Sequence, residues 1–590
     1  MADFKAPLKD INLALNAVAR LPELAAMERF ADASEDMVSA ILEEAGRVAS
    51  EVVAPTNWDG DQQGVHLQEG AVICPESFVS AYQQYAEGGW GSLQFDPEYG
   101  GQGLPYLLSV PVMELWQAAN VSWGLCPLLS QGAVECLSLN ASDELKAAYL
   151  PQLISGEWAG TMCLTEGNAG SDLSTVRCKA ERDGEVYRIT GEKVFITWGD
   201  QNMTRNIIHL VLARLPDAPA GVRGISLFLV PKYRVDAEGN LGEYNQTHTL
   251  SLEHKLGIHG SATCVMGFDN SVGYLVGQEN RGLACMFTMM NNARLGVGLQ
   301  GVAVAERAYQ QALNYAQERI QAPAVGYKEA GPIMRHGDVR RMLLTMKALT
   351  EAGRALAYDA CGSLDFAEHA EDEQRRADEK ARAALLTPVV KAWCTENANE
   401  VTSLGVQVHG GMGYVEETGA AQYMRDARVL SIYEGTNGIQ ALDLVGRKVL
   451  LDQGAALNRL LAEMRETLNQ AGDFAPLAAQ LEVAVQGVEA SRDGLLQGAQ
   501  EDPQLAGAIA FNFLMQLGVV AGAWELLRQA LACRAAQARG EDDAFLEAKQ
   551  LTTNFYFAHI LPRAMGFADM VQSGSEPVVA MNDAHFASAW

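Results

Sequence analysis

The stretch Val186-Tyr-Arg-Ile-Thr-Gly-Glu-Lys-Val-Phe-Ile-Thr197 decides how the chain is organised. Its two halves, Val186–Thr190 and Lys193–Thr197, are short and rich in β-branched and aromatic residues, so each predicts a strand. Ile207–Ala213 and Ile225–Val230 repeat the pattern, with turn signals at Asp183-Gly184, Gly199-Asp200 and Pro216. From Trp158 to about residue 275 the reading is therefore a mainly antiparallel β-domain.

On both sides the period becomes helical. Met37, Val38, Ile41, Leu42, Ala45, Val48, Ala49 and Val52 predict a helix over 32–53, with Ser34 as N-cap and Pro55 beyond its end. A second helix is expected over about Ser77–Ala86, then the turn-rich run Phe95–Pro105. Downstream, Met289–Ala316 and Ala383–Val408 predict an antiparallel bundle. Leu457–Leu468, Pro476–Leu496 and Pro503–Arg539 add a further helical region. The expected plan is mostly α with a central β-domain. Residues 1–60 form an N-terminal extension with the first helix, 61–157 an N-terminal helical domain and 158–278 the middle β-domain. Residues 279–452 form the helical bundle and 453–590 an additional C-terminal helical domain. At 590 residues several domains are required, since single cores stop growing at roughly 250–300 residues. The β/α alternation of a doubly wound sheet is missing, which removes the usual dinucleotide fold.

Composition excludes several functions. With 44 Lys and Arg against 73 Asp and Glu, the formal charge of −29 opposes a nucleic-acid partner. The ten cysteines are scattered without a Cys-x-x-Cys pair, which fits reduced thiols in a cytoplasmic compartment and neither a zinc site nor a disulfide framework. The histidines have no metal-partner spacing, so no metal is expected. The N-terminus lacks an apolar signal region and no run of 18 apolar residues occurs, so neither a secretory signal nor an integral membrane segment is expected. Walker, His-Glu-x-x-His and Gly-x-Ser-x-Gly motifs are absent.

Four segments carry chemistry, each with a plainer alternative. Met162-Cys-Leu-Thr-Glu-Gly-Asn-Ala-Gly-Ser-Asp172 offers backbone N–H groups and a hydroxyl to a phosphate or flavin edge, or is an ordinary turn. In Lys193–Thr197, Phe195 and Thr197 are expected on one face, supporting a flat heterocycle or a half-buried strand. Arg294, in Asn291-Asn-Ala-Arg-Leu295, meets a ligand anion or a structural partner. Glu434, in Tyr433-Glu-Gly-Thr-Asn-Gly438, precedes a helix capped by Thr436 or Asn437. It is a carboxylate favoured by the helix dipole, or a partly desolvated base with its pKa raised.

Together, in this order, these segments resemble the acyl-CoA dehydrogenase family over about residues 60–450. Phe95-Asp-Pro-Glu-Tyr-Gly-Gly-Gln-Gly103, Gln407-Val-His-Gly-Gly-Met-Gly-Tyr414 and Met424-Arg-Asp-Ala-Arg428 resemble further family signatures. Lys5-Ala-Pro-Leu-Lys-Asp10 and the region after about residue 455 resemble a longer bacterial branch, which includes 3-methylthiopropanoyl-CoA and fatty acyl-CoA dehydrogenases. The resemblance implies an acyl-CoA dehydrogenase-like fold with FAD held near Met162, Leu164, Thr165, Gly170, Ser171, Phe195 and Thr197. Arg319, Gln407, Gly411 and Thr436 are the other implied cofactor contacts. Ser171, Asn291, Arg294 and Gly435 are implied at the substrate. Phe195 stands where the family commonly has Trp, Trp198 where Asn is frequent, and Arg319-Ile-Gln-Ala-Pro323 departs from the usual aromatic-Gly continuation. Glu434 is the implied base, taking the α-proton while the β-hydrogen leaves as hydride to the flavin. Some members carry the base just before the arginine of the third segment, where this chain has Ala293.

The implied reaction converts a medium-to-long fatty acyl-CoA to trans-2-enoyl-CoA in β-oxidation. An electron-transferring flavoprotein is the implied acceptor and a homodimer the implied assembly. A 3-methylthiopropanoyl-CoA dehydrogenase, an acyl-CoA oxidase using O2 and a non-catalytic helical binding protein are the alternatives.

Overall fold

The computed structural model describes residues 3–236, 239–541 and 543–588. The chain forms two compact units. One comprises Asp32–Gly296 with Asp3–Ala6; the other begins at Val297 and also takes in Pro7–Ala31.

The first unit opens with helix α1 (Glu35–Val48), whose N-cap Ser34 accepts from the Met37 N–H at 3.3 Å. The expected helix ran to residue 53, but its last five residues, Ala49–Val53, widen into a π-helical turn before Pro55. The helix expected near Ser77 runs over Glu76–Glu87. Helices α2 (Tyr106–Ala119) and α3 (Val121–Asn140) follow, and Asn120 caps α3 by accepting from Trp123 N–H at 3.1 Å.

The β-domain is a seven-stranded sheet. Its strands are β1 (Trp158–Cys163), β2 (Lys179–Asp183), β3 (Val186–Thr197), β4 (Asn206–Arg214), β5 (Ile225–Pro231), β6 (Thr247–Leu252) and β7 (Thr263–Val276). The order is β6–β7–β3–β2–β4–β1, with β5 pairing both β7 and β4. Most pairs are antiparallel, as expected, whereas β1 and β4 run parallel from Trp158↔Asn206 to Cys163↔Val211. The two expected strands at 186–197 are one strand, because β7 continues to pair across Gly191.

The core of this unit lies between the sheet and α3, where Leu129, Ala133, Val134 and Leu137 meet Ile208, Leu210 and Leu212. Gly160 in β1 permits that approach: a Cβ there would lie 2.4 Å from the Cβ of Ala133.

Helix α4 (Gly282–Glu318) contains the boundary between the units. The second unit continues with α5 (Gly337–His369), α6 (Glu373–His409) and α7 (Asn437–Asp443). The additional helical region follows as α8 (Ala455–Asn469), α9 (Ala475–Gly498), α10 (Leu505–Ala538) and α11 (Ala544–His559). Helices α4 and α6 approach closely because residue 301 is glycine; a Cβ there would lie 2.7 Å from the Cys394 carbonyl oxygen.

Helix α10 is long and apolar enough to cross a membrane by length and composition alone, yet 72% of its most apolar window is buried. It serves as a core helix of the second unit. Buried charges fasten the N-terminal helix Leu8–Ala17 to the same unit. Asp10 accepts from Lys549 and from Arg354; Lys549 also reaches Glu351 at 2.6 Å, and Arg354 reaches Glu306 at 2.8 Å.

Candidate active site

In the first unit the implied flavin residues lie on two adjoining stretches of backbone. β1 ends at Cys163, and the chain turns through Leu164–Asp172. That turn is tied to β3 at three points. The Leu164 carbonyl accepts from Lys193 Nζ at 2.9 Å, the Thr165 carbonyl accepts from Val194 N–H at 2.9 Å, and Glu166 pairs with Lys193 Nζ at 2.8 Å. The Glu166 carboxylate also accepts from the backbone N–H groups of Arg177 at 2.7 Å and Cys178 at 3.0 Å. Asn168 and Thr175 close the outer part of the loop through reciprocal bonds of 2.7 and 2.8 Å. Gly170 and Ser171 are exposed, Met162, Leu164 and Thr165 half-buried, and an added Cβ at Gly167 or Gly170 would meet nothing within 4 Å.

Phe195 is 63% exposed and has φ +60, a left-handed conformation uncommon for a bulky side chain. The cause is a bulge: between Ile196↔Cys264 and Lys193↔Met266 β3 has one more residue than β7. The bulge shifts the two-residue alternation between Lys193 and Phe195; beyond it Ile196 is buried and Thr197 partly exposed.

Trp198 is also left-handed, at φ +52. Asn, the frequent family residue there, tolerates that region well. Here the indole is fully buried and its Nε1 donates to the Ser122 carbonyl at 3.1 Å. A fixed open turn beside an exposed apolar ring fits the flat heterocycle of a flavin.

Asn291 and Arg294 occupy the part of α4 that belongs to this unit. Arg294 is buried and donates to Asn291 Oδ1 at 3.4 Å; Ala293 is buried beside it. Neighbouring Asn292 donates to Glu135 and accepts from the Tyr106 hydroxyl at 3.2 Å.

In the second unit, Glu434 and Gly435 are consecutive left-handed residues, at φ +56 and +86. They stop the chain before α7, and Thr436 is the N-cap, its Oγ1 accepting from Ile439 N–H at 3.3 Å. Asn437, the other possible cap, turns inward instead. Its Oδ1 accepts from buried Lys391 Nζ at 2.9 Å, while its Nδ2 donates to Glu396 Oε1 at 2.7 Å and Thr395 Oγ1 at 3.0 Å. Gln440 Nε2 reaches back to the carbonyls of Glu434 and Gly435 at 3.3 and 3.4 Å. Glu434 itself is half-buried. Preceding Tyr433 is bonded to Gln300, and its hydroxyl is raised well above its ordinary pKa by burial and then by the nearby Glu434 charge.

Arg319, Gln407, Gly411 and Thr436 are all exposed. The end of α6 that carries Gln407 meets the end of α4 that precedes Arg319, because the His409 ring stacks on Tyr315 at 4.5 Å. Lys193, Glu166, Lys391, Asn437 and Gln440 were not singled out as site residues in the sequence. One available signal was a lysine beside the apolar run Val194-Phe-Ile196; the others acquire meaning only from their partners.

The family profiles agree with this layout. "Acyl-CoA dehydrogenase, N-terminal domain" matches residues 36–157, the middle domain 161–271 and the C-terminal domain 280–450. "Acetyl-CoA dehydrogenase C-terminal like" matches residues 460–582. The chain is 49% identical to the 3-methylmercaptopropionyl-CoA dehydrogenase of Ruegeria pomeroyi, over 95% of this chain and 96% of that one. It is 32% identical to the broad-specificity linear acyl-CoA dehydrogenase FadE5 of Mycobacterium tuberculosis, over 99% of this chain and 100% of that one. In fold it is similar to an acyl-CoA dehydrogenase from Bacillus anthracis complexed with FAD (TM-score 0.74, 21% identity, 94% of this chain and 91% of that one). The chain belongs to the acyl-CoA dehydrogenase family, the FAD-dependent oxidoreductases of acyl-CoA thioesters.

Proposed function

We propose that this protein oxidises a short acyl-CoA thioester to the trans-2-enoyl-CoA, with 3-methylmercaptopropionyl-CoA as its leading substrate and Glu434 as the base. The observation that carries the substrate reading is the 49% identity along 95% of the chain to a protein named for that activity.

In this reading the Glu434 carboxylate takes the α-proton, and the β-hydrogen departs with its electron pair as the double bond forms. Bound FAD supplies the acceptor for that hydride. An α-proton of a thioester is weakly acidic, so the carbonyl oxygen must be stabilised as charge develops on it; the backbone N–H of Glu434 is the protein donor for that task. Fixing the turn before α7 sets that donor and the carboxylate together. Ser171, Asn291, Arg294 and Gly435 hold the substrate. Met162, Leu164, Thr165, Gly170, Ser171, Phe195, Thr197, Arg319, Gln407, Gly411 and Thr436 hold the cofactor. Ala293 has no proton acceptor, which leaves the task to Glu434.

A second reading keeps linear fatty acyl-CoA of medium to long chain as the substrate, in β-oxidation, and is favoured by the full-length similarity to FadE5. Turnover across 3-methylmercaptopropionyl-, butyryl-, octanoyl- and palmitoyl-CoA with an artificial electron acceptor separates the two. We expect kcat/KM to be highest for the first substrate and at least tenfold lower for palmitoyl-CoA; the reverse order would establish the second reading. An electron-transferring flavoprotein is the proposed natural acceptor, and rapid reoxidation in air with release of peroxide would make the enzyme an oxidase instead. A cytoplasmic homodimer is the proposed form, checked by solution mass.

A further inference from the structure

We propose that the buried Lys193–Glu166 pair is a positioning element that holds the flavin-contact turn Leu164–Ser171 at a fixed offset from Phe195, and so sets FAD affinity. This rests on the reading that the turn and Phe195 contact the cofactor. Lys193 is fully buried and Glu166 nearly so, at 2.8 Å. Burying two charges is unfavourable unless geometry and further hydrogen bonds compensate, so such a pair gives little net stability. What this one does is local and directional. The lysine ammonium also donates to the Leu164 carbonyl at 2.9 Å, and the glutamate collects the Arg177 and Cys178 N–H groups at 2.7 and 3.0 Å. One side chain of β3 thereby grips the turn at its first residue and, through Glu166, at its third.

The grip and the exposed ring belong to one strand. Lys193 and Phe195 flank Val194, whose own N–H donates to the Thr165 carbonyl at 2.9 Å. Lys193 faces inward, fully buried, and the bulge with left-handed Phe195 turns that ring outward. The glycines of the turn meet no neighbour that would restrain a Cβ; the Glu166–Ala169 and Asn168–Thr175 bonds close the loop on itself, and these carbonyl and carboxylate anchors tie it to β3.

The experiment compares wild type, Glu166→Gln, Lys193→Met and the double variant Lys193→Met/Glu166→Gln. Apo-protein is titrated with FAD, backbone hydrogen exchange is followed over residues 164–171, and Tm is recorded without FAD. Lys193→Met leaves an unpaired buried carboxylate and lowers Tm; the double variant removes both charges and recovers most of it. The expected result is an FAD Kd raised at least tenfold in both Lys193→Met and the double variant, with faster exchange over 164–171. Glu166→Gln keeps the acceptor oxygen and is expected to raise Kd only about threefold. A double variant that regains wild-type Kd along with Tm, or a folded Glu166→Gln and double variant with unchanged Kd and exchange, would overturn the positioning role. Wild-type apo-protein that does not bind FAD would instead overturn the cofactor reading on which it rests.

Discussion

The turn after β1 and the turn before α7 solve the same problem with different chemistry. Left-handed, non-glycine backbone accompanies each, at Phe195 and Trp198 on and just after the strand to which the first turn is tied, and at Glu434 within the second. Each is fastened by a fully buried lysine. Lys193 reaches its turn through a carboxylate that gathers several donors, whereas Lys391 reaches its turn through the amide of Asn437. An amide accepts from an ammonium through its oxygen and donates to a carboxylate through its nitrogen, which is what Lys391 on one side and Glu396 on the other require. The turn with Glu434 is thus held through a bridging amide whose two faces are not interchangeable, the turn after β1 through an ion pair.

Substitutions can break or sharpen this contrast. Among the variants that keep every charge, the largest effect is expected from Glu434→Asp, which preserves the turn but withdraws the carboxylate by one methylene. A displacement of about 1 Å costs on the order of 100-fold in rate, so kcat should fall by about that factor with FAD still bound. Next is the ion-paired class. Burial raises the Asp10 carboxyl, but Lys549 and Arg354 more than reverse this and hold it at about 2. A carboxyl depressed in the folded state stabilises above its unfolded pKa of 3.8, and the contribution, about 2 kcal/mol, disappears as pH falls from about 4 to 2. Asp10→Asn should therefore lower stability near neutral pH, and its deficit against wild type should narrow in that acid window when unfolding is followed by circular dichroism.

For the amide-anchored turn, Asn437→Ala should lower kcat about tenfold while changing KM less than threefold. Asn437→Asp should be no milder, because its new carboxylate would face Glu396. Equal or better activity in Asn437→Asp would erase the distinction between the two anchors. The smallest effect belongs to Gln440→Leu. Its bonds to the Glu434 and Gly435 carbonyls are long, and about a threefold loss of kcat is expected.

The contrast also marks what could be read from the sequence. Periodicity located the β-domain, because the strands of its sheet are separated by glycine, aspartate and proline turns. It located α4, α6 and α10 because their apolar residues recur over many turns. The parallel β1–β4 pair was not legible, since the pairing of strands about fifty residues apart depends on packing rather than local pattern. The bulge at Phe195 was hidden for a related reason: it is set by the partner strand, and the sequence Lys-Val-Phe-Ile-Thr alone reads as uniform alternation. Glu434 was singled out through its neighbourhood and the family resemblance. Lys391, a lysine within an apolar helix, gains a role only when Asn437 is seen to turn inward. The expected substrate, a longer fatty acyl group, came from the resemblance; what favours a shorter one in the proposed function is the 49% identity to a 3-methylmercaptopropionyl-CoA dehydrogenase.

The most direct test of the account is anaerobic mixing of the FAD-loaded protein with 3-methylmercaptopropionyl-CoA, comparing wild type with Glu434→Gln at equal bound flavin. The wild-type flavin absorbance is expected to bleach in a single rapid phase and the variant to stay yellow, at least about 1,000-fold slower, consistent with the loss of a general base. Bleaching of Glu434→Gln at the wild-type rate would contradict the account.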